Sequence, residues 1–144
     1  MKPKHFIDQL DDSRIVAAIG AAEQNTSAEI RVYVSHRKRH DALEAAKARF
    51  QALGMHKTRD RSAVLIYLVP HTHQLALWGD TAVHEKCGED FWKDVVAGMT
   101  RQLKEGHLTE AIEHAVKEIG AILAKHFPRR PDDTNELPNA VVRE

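Results

Sequence analysis

The chain has 144 residues, enough for one domain with a hydrophobic core, and its 21 Lys and Arg residues balance its 21 Asp and Glu residues. This balance argues against nucleic-acid binding, because folded domains that bind phosphates usually carry a basic excess. With one cysteine, no secretion signal in residues 1–14 and no run of roughly 18 apolar residues, we expect a cytoplasmic protein without disulfides or membrane insertion.

The first half of the chain alternates helical and strand patterns. An amphipathic pattern predicts a helix over residues 8–24. Residues 28–35 alternate apolar and polar side chains, which predicts a half-buried strand. Asp41 and Glu44 form a capping-box pattern that opens a second helix, and Gly54 has the position that ends one.

The second half begins with an unbroken apolar run at residues 62–69, which predicts a central strand covered on both faces. A four-residue loop at 70–73 joins it to a shorter strand at 74–78, so the two strands form a hairpin. Two long amphipathic helices, over about 89–105 and about 109–126, complete the ordered part.

This order of elements predicts an α/β fold. We expect a three-layer α/β/α sandwich whose small mixed sheet, built from a β-α-β crossover and a hairpin, is flanked by about four helices. Residues 1–128 form this single domain in our prediction. Residues 129–144 are polar and punctuated by Pro, a composition typical of a flexible tail.

The predicted sheet brings acidic residues to one edge. Because the first two strands run parallel and the third runs antiparallel to the second, the starts of the first two and the end of the third share an edge. The acidic residues near it are Glu29, Asp60, Asp80 and Glu85. We call these four residues the acidic edge and consider them candidate ligands of Ca²⁺ or Mg²⁺, which prefer oxygen ligands. The alternative is that they are solvated loop acids paired with Lys57, Arg59 and Arg61.

Other chemistry-bearing residues favour structural roles. His71 and His73 could bind a transition metal, but a solvated hairpin is favoured in a chain with ten histidines. Cys87 precedes a predicted helix, yet Lys93 stands where a cysteine-phosphatase loop needs Arg, which favours a structural thiol. We identify no nucleophile with a positioned base and no Gly-rich nucleotide motif. The catalytic residues are therefore unknown, and no organic cofactor is expected.

Several segments together resemble the TPM domain family. They are TSAEIRVYVS at 26–35, TRDRSAVLIYLV at 58–69, LALWGD at 75–80, and the helical run at 91–123 with the closing HFP at 126–128. The resemblance covers about residues 10–128. It implies an α/β/α sandwich with a mixed sheet, in agreement with the fold predicted from the pattern.

The resemblance also implies a site. Members of the family have been linked to acid phosphatase activity and to divalent-cation binding by loop carboxylates at one sheet edge. In this chain Asp60 matches the acid before the central strand, Asp80 the acid in the turn after the hairpin, and Glu29 the acid that starts the first strand. The chain departs from the family where Arg61-Ser62 follows Asp60 in place of Asn-Gly, and where the glycine-rich turn is reduced to Gly79-Asp80. Both departures weaken the case for phosphatase activity.

Three functions remain open at this point. We favour a TPM-like regulatory module that is not an enzyme and uses its acidic edge to bind a divalent cation or a protein partner. The alternative is a weak metal-assisted acid phosphatase in which Asp60 and Asp80 hold the ion. A second alternative is a protein-interaction module that uses the basic loop His36–His40.

Overall fold

The computed structural model describes residues 10–35, 41–58, 60–69, 74–88, 90–129 and 141–143. The elements within these ranges are α1 (Asp12–Glu23), β1 (Glu29–Val34), α2 (Ala42–Ala52), a single 3-10 turn (Met55–Lys57), β2 (Ala63–Val69), β3 (Gln74–Gly79), α3 (Thr81–Cys87), α4 (Asp90–Lys104), α5 (Leu108–His126) and β4 (Val141–Arg143).

The strands form one mixed sheet in the order β3-β2-β1-β4. β1 runs parallel to β2, with Glu29 opposite Ala63, while β3 runs antiparallel to β2, with Gly79 opposite Val64. The predicted mixed sheet, with its crossover and hairpin, is thereby confirmed. The start of β1, the start of β2 and the end of β3 share one edge, as the sequence indicated.

The larger hydrophobic core lies between the sheet and helices α1, α4 and α5. Alternate strand residues point into it, among them Val32, Ile66 and Leu77. Helix α5 contributes a continuous apolar face that includes Ile112 and Ile119, both fully buried. Burial of one such side chain contributes roughly 1.5–3 kcal/mol to stability, so this layer holds α1 and α5 firmly on the sheet.

The other face of the sheet is covered by α2. Phe50 of α2 packs in a second core together with Tyr33 and Tyr67, which are opposite each other on β1 and β2. The two tyrosine rings stack with their centroids 5.2 Å apart. Strand β1 is therefore buried on both faces rather than half-buried. The three-layer α/β/α arrangement is confirmed.

Helix α3 is an element that the sequence pattern did not predict. The sequence analysis placed no helix between the strand at 74–78 and the helix that begins at about residue 89, but residues Thr81–Cys87 are helical. The helix is too short to show apolar periodicity in the sequence. It begins because Asp80 caps it, and it ends at Gly88, whose φ of +77° suits glycine.

Strand β4 also differs from the expectation. Val141–Arg143 lie within the segment predicted to be a flexible tail, yet they pair in parallel with β1, with Val142 opposite Tyr33. Val141 packs against the larger core, and Val142 packs against the second core. The domain boundary at 128 otherwise stays a prediction.

Three sequence-based candidates lie outside the described residues. They are the basic loop 36–40, the hairpin loop 70–73 with its two histidines, and Arg59. Within the described ranges, none of the helices combines the length and the apolar character needed to cross a membrane.

Candidate functional site

The loop before β2 presents Arg61 in an unusual backbone conformation. Among the described residues, Arg61 is the non-glycine residue with a positive φ, at +53°. This left-handed region is unfavourable for an L side chain, so local contacts must hold it. The backbone N–H of Arg61 donates to the carbonyl of Thr58 at 3.2 Å, and its own carbonyl accepts from Ala82 N–H at 3.3 Å. One of these hydrogen bonds therefore closes the turn within the loop, and the other joins the loop to α3.

Asp80 sits between β3 and α3 and is almost completely buried, with 4% of its surface exposed. Its N–H donates to the carbonyl of Ala63 at 3.0 Å, which extends the pairing of β3 with β2 by one step. Its side chain accepts from the N–H of Thr81 at 2.7 Å and caps α3. Asp80 is therefore fixed by the sheet edge and by the helix that it begins.

Gly79 makes this tight turn into α3 feasible. A Cβ atom at position 79 would lie 2.8 Å from Cγ1 of Val83 and 3.6 Å from the ring of Trp92. Real Cβ atoms do not approach another carbon this closely, so a side chain at 79 would push α3 away from the strand end. The position of Asp80 depends on this close approach.

Arg61 and Asp80 form a bidentate ion pair. Nε of Arg61 donates to Oδ2 of Asp80 at 2.9 Å, and Nη2 donates to Oδ1 at 3.1 Å. These hydrogen bonds raise the pKa of Arg61 above its usual value. The arginine side chain is 50% exposed while the carboxylate is buried, so one edge of the guanidinium faces the protein and the rest faces solvent. We call this pair the Arg61–Asp80 latch.

The structure does not bring the four residues of the acidic edge together as a group. Asp60 lies in the same turn as Arg61 and is partly exposed, Glu29 is buried at the start of β1, and Glu85 is exposed on α3. In the ranges that the structure describes, no three or more His, Cys, Asp or Glu side chains cluster so as to hold a metal ion. Both oxygens of Asp80 already accept hydrogen bonds. The side chains as arranged therefore do not fit a divalent cation, and the metal site stays a prediction.

Glu29 has a close acidic neighbour that the sequence analysis missed. Glu23, the last residue of α1, is buried, and its Oε2 accepts from the N–H of Ile30 at 2.9 Å. Burial raises the pKa of Glu23 to about 7 in spite of that hydrogen bond, and the charge of Glu29 adds to the rise. Arg129 opposes the rise, and it also donates from Nη1 to the carbonyl of Glu23 at 2.9 Å. The signal in the sequence is an acid at the C-terminal end of a helix, where the helix dipole disfavours it.

A second group of contacts adjoins the latch on the α2 side. The ring of Trp78 lies 4.8 Å from the ring of His84 and 4.8 Å from Nζ of Lys47. His84 also donates its backbone N–H to the carbonyl of Asp80 at 3.2 Å. Contacts thus run without a break from Arg61 through Asp80 and His84 to Trp78 and Lys47. We call these five residues the Arg61–Trp78 surface.

Cys87 lies in an environment that disfavours the reactive thiolate form. It is partly buried, and that burial raises the pKa of its thiol, so the thiolate is disfavoured near neutral pH. The neighbouring charge of Lys86 only partly offsets the effect. This environment agrees with the structural role that the sequence favoured.

Comparisons with known proteins identify relatives of the whole domain. A family model described as the TPM domain matches residues 1–122. The NMR structure of the BA42 protein from the psychrophilic bacterium Bizionia argentinensis is 32% identical, with a TM-score of 0.87 over 94% of this chain and 96% of that chain. The N-terminal domain of a P. gingivalis protein, also solved by NMR, shares the fold at 10% identity, with a TM-score of 0.62 over 79% of this chain and 76% of that one. Among curated proteins, none matches this sequence.

Proposed function

This chain belongs to the TPM domain family, as the resemblance implied, and we propose that it works as a protein-binding module and not as a phosphatase. The observation that carries the proposal is the Arg61–Asp80 latch. It occupies the carboxylate that a metal-assisted hydrolase would need, and it leaves half of an arginine side chain exposed for a partner.

The latch argues against the phosphatase alternative on chemical grounds. A metal-assisted hydrolase uses carboxylate oxygens to hold the ion that polarises the phosphoryl group and activates water. Here Oδ1 and Oδ2 of Asp80 accept hydrogen bonds from Arg61, and Oδ1 accepts a further one from Thr81. The same contacts weaken our expectation of Ca²⁺ or Mg²⁺ binding, because an ion reaches Asp80 only after Arg61 has moved away.

The Arg61–Trp78 surface has the composition of a protein interface. Trp and Arg are enriched among the residues that carry most of the binding energy in such interfaces. Nε2 of His84 is buried and has no hydrogen-bond partner among the described residues. A buried polar atom without a partner costs stability, so a partner protein gains affinity at this point if the His84 ring turns and exposes Nε2 to it.

The catalytic part of the proposal is tested by turnover of p-nitrophenyl phosphate in the presence of Mg²⁺, Ca²⁺ or Mn²⁺. We expect no turnover above that of buffer with the metal alone. Turnover that Asp80→Asn abolishes and Asp94→Asn retains would contradict the proposal. Asp94 is a matched control because it is exposed on α4 and is not a member of the latch.

The binding part is tested by affinity capture from an extract of the source cells, with paired variants. We expect the wild type and the Lys104→Glu variant to capture the same partner protein from the extract. The Arg61→Glu and Lys47→Glu variants should fail to capture it. Lys104 is exposed at the end of α4 and controls for the change in net charge. Capture that is the same for all four proteins would count against the Arg61–Trp78 surface.

A further inference from the structure

We infer that the guanidinium of Arg61 is the resident cation of Asp80 and that it excludes divalent ions from the acidic edge. This rests on the proposed function, in which Arg61 already occupies Asp80, and it deepens that function by making Arg61 the reason why ions are kept from the whole acidic edge. It also makes a specific prediction: removal of that side chain creates a cation site, although no new coordinating residue is introduced.

The first argument is the charge balance of Asp80. A buried carboxylate is unfavourable unless a positive charge and hydrogen bonds compensate for the water that it has lost. Arg61 supplies both, through donors at 2.9 and 3.1 Å from the two oxygens. A divalent ion would have to bind the same two oxygens, so the guanidinium and the ion compete for one place.

The second argument is the backbone at position 61. The φ of +53° is one that glycine adopts without steric cost. The hydrogen bonds to Thr58 and from Ala82 involve only the backbone of Arg61, so they survive replacement of its side chain. Arg61→Gly therefore removes the guanidinium while it keeps, and relaxes, the turn that presents Asp60 and borders Asp80.

The third argument concerns what would replace the guanidinium. Without Arg61 the buried charge of Asp80 keeps only the hydrogen bond from the N–H of Thr81, so binding of a proton or of a cation by the carboxylate becomes more favourable. Asp60 lies in the same turn, and its carboxylate becomes a second ligand if the ion draws it from its present interaction; water can supply further oxygens. An all-oxygen set of this kind prefers Ca²⁺ or Mg²⁺ to softer metals.

The test is an amide-resolved NMR titration of chelator-treated protein with Ca²⁺, repeated with Mg²⁺. Four proteins are compared: wild type, Arg61→Gly, Arg61→Lys and the double variant Arg61→Gly/Asp80→Asn. We expect saturable shifts at residues 60–62 and 80–84 in Arg61→Gly, with an apparent affinity at least tenfold above the wild type. Arg61→Lys retains a positive charge at the site, and the double variant lacks the carboxylate, so both should resemble the wild type.

Three results would overturn the inference. They are the absence of any gain in Arg61→Gly, equally tight binding by the wild type, and a gain that persists in the double variant. If Arg61→Gly does not fold, Arg61→Asn gives the same test, because asparagine tolerates the left-handed conformation. The turnover assay of the wild type is independent of this titration, so failure of the inference and failure of the proposed function are distinguishable.

Discussion

Arg61 donates two hydrogen bonds to Asp80 from a left-handed backbone position, and the carboxylate that it holds is almost completely buried. One side chain therefore joins the loop before β2 to the first turn of α3. The same contact places a fixed positive charge at the sheet edge where the family resemblance implied a divalent cation.

Replacement of Asp80 should destabilise the protein more than replacement of an ordinary helix cap. Asp80→Ala removes the cap of α3 and leaves the loop before β2 without its partner, and we expect a loss of roughly 2–4 kcal/mol in the free energy of unfolding. Asp41 caps α2 through the N–H of Glu44 at 3.1 Å and is exposed. Asp41→Ala should therefore cost only about 1 kcal/mol. Urea denaturation of the two variants measures the difference, and equal losses would mean that the latch contributes nothing.

Gly79 and Gly98 should respond to alanine in opposite directions. At Gly79 the new Cβ would lie 2.8 Å from Val83, so we expect a loss of roughly 1–3 kcal/mol in stability. At Gly98, on α4, nothing lies within 4 Å of the new Cβ, and alanine favours a helix over glycine by about 1 kcal/mol. Thermal unfolding of both variants tests the prediction. A Gly79→Ala protein as stable as the wild type would show that α3 does not pack closely on the strand end.

The buried carboxyl group of Glu23 should make folding stability depend on pH. Its pKa is raised from 4.5 to about 7 in the folded protein, so protonation is favoured by folding. The resulting stabilisation is complete below pH about 4.5 and is lost as the pH rises through about 7. At pH 8 we expect Glu23→Gln to exceed the wild type by roughly 1–3 kcal/mol in the free energy of unfolding, since no charge is then buried.

The control for this pH effect is Glu118→Gln, because Glu118 is exposed on α5. Denaturation curves at pH 5, 6, 7 and 8 should give Glu118→Gln the same slope of stability against pH as the wild type. Glu23→Gln should give a flatter dependence over this range. Parallel curves for all three proteins would contradict the assignment to Glu23.

Cys87 should react slowly in the native protein. Burial raises the pKa of its thiol and limits access of reagents to it. At neutral pH, iodoacetamide should therefore modify Cys87 at least tenfold more slowly in the native protein than in the protein unfolded by denaturant. Mass spectrometry of samples taken over time measures both rates. Equal rates would reopen the question of Cys87 as a nucleophile.

The sheet could be predicted from the sequence because its signals are local and redundant. The alternation in 28–35 and the unbroken apolar run in 62–69 set two strands, and the helix between them sets their parallel direction. The family resemblance is confirmed by the match over residues 1–122. Apolar patterns of this kind indicate which residues are buried, and the buried faces of the helices and strands determine how they pack in this fold.

The site was less predictable, for three separate reasons. In the sequence, an acid at position 80 is consistent both with a metal ligand and with a helix cap. The helix that Asp80 caps is only seven residues long, too short for its apolar pattern to decide between the two. The left-handed φ of Arg61 cannot be inferred from its residue type. Glu23 and Glu29 are separated by a turn whose geometry depends on contacts such as Thr26 Oγ1 with the carbonyl of Phe127, at 2.5 Å. Side-chain pairing across distant segments requires the three-dimensional structure.

The most direct test of the latch is an NMR measurement of the Nε–H group of Arg61 at neutral pH, before and after addition of millimolar Ca²⁺. The resonance can be assigned by its loss in Arg61→Lys. We predict a resolved signal, protected from exchange with water by its bond to Asp80 and unchanged by Ca²⁺. A signal that is lost to rapid exchange, or that shifts in a saturable way as Ca²⁺ is added, would contradict the latch and restore the acidic edge as a cation site.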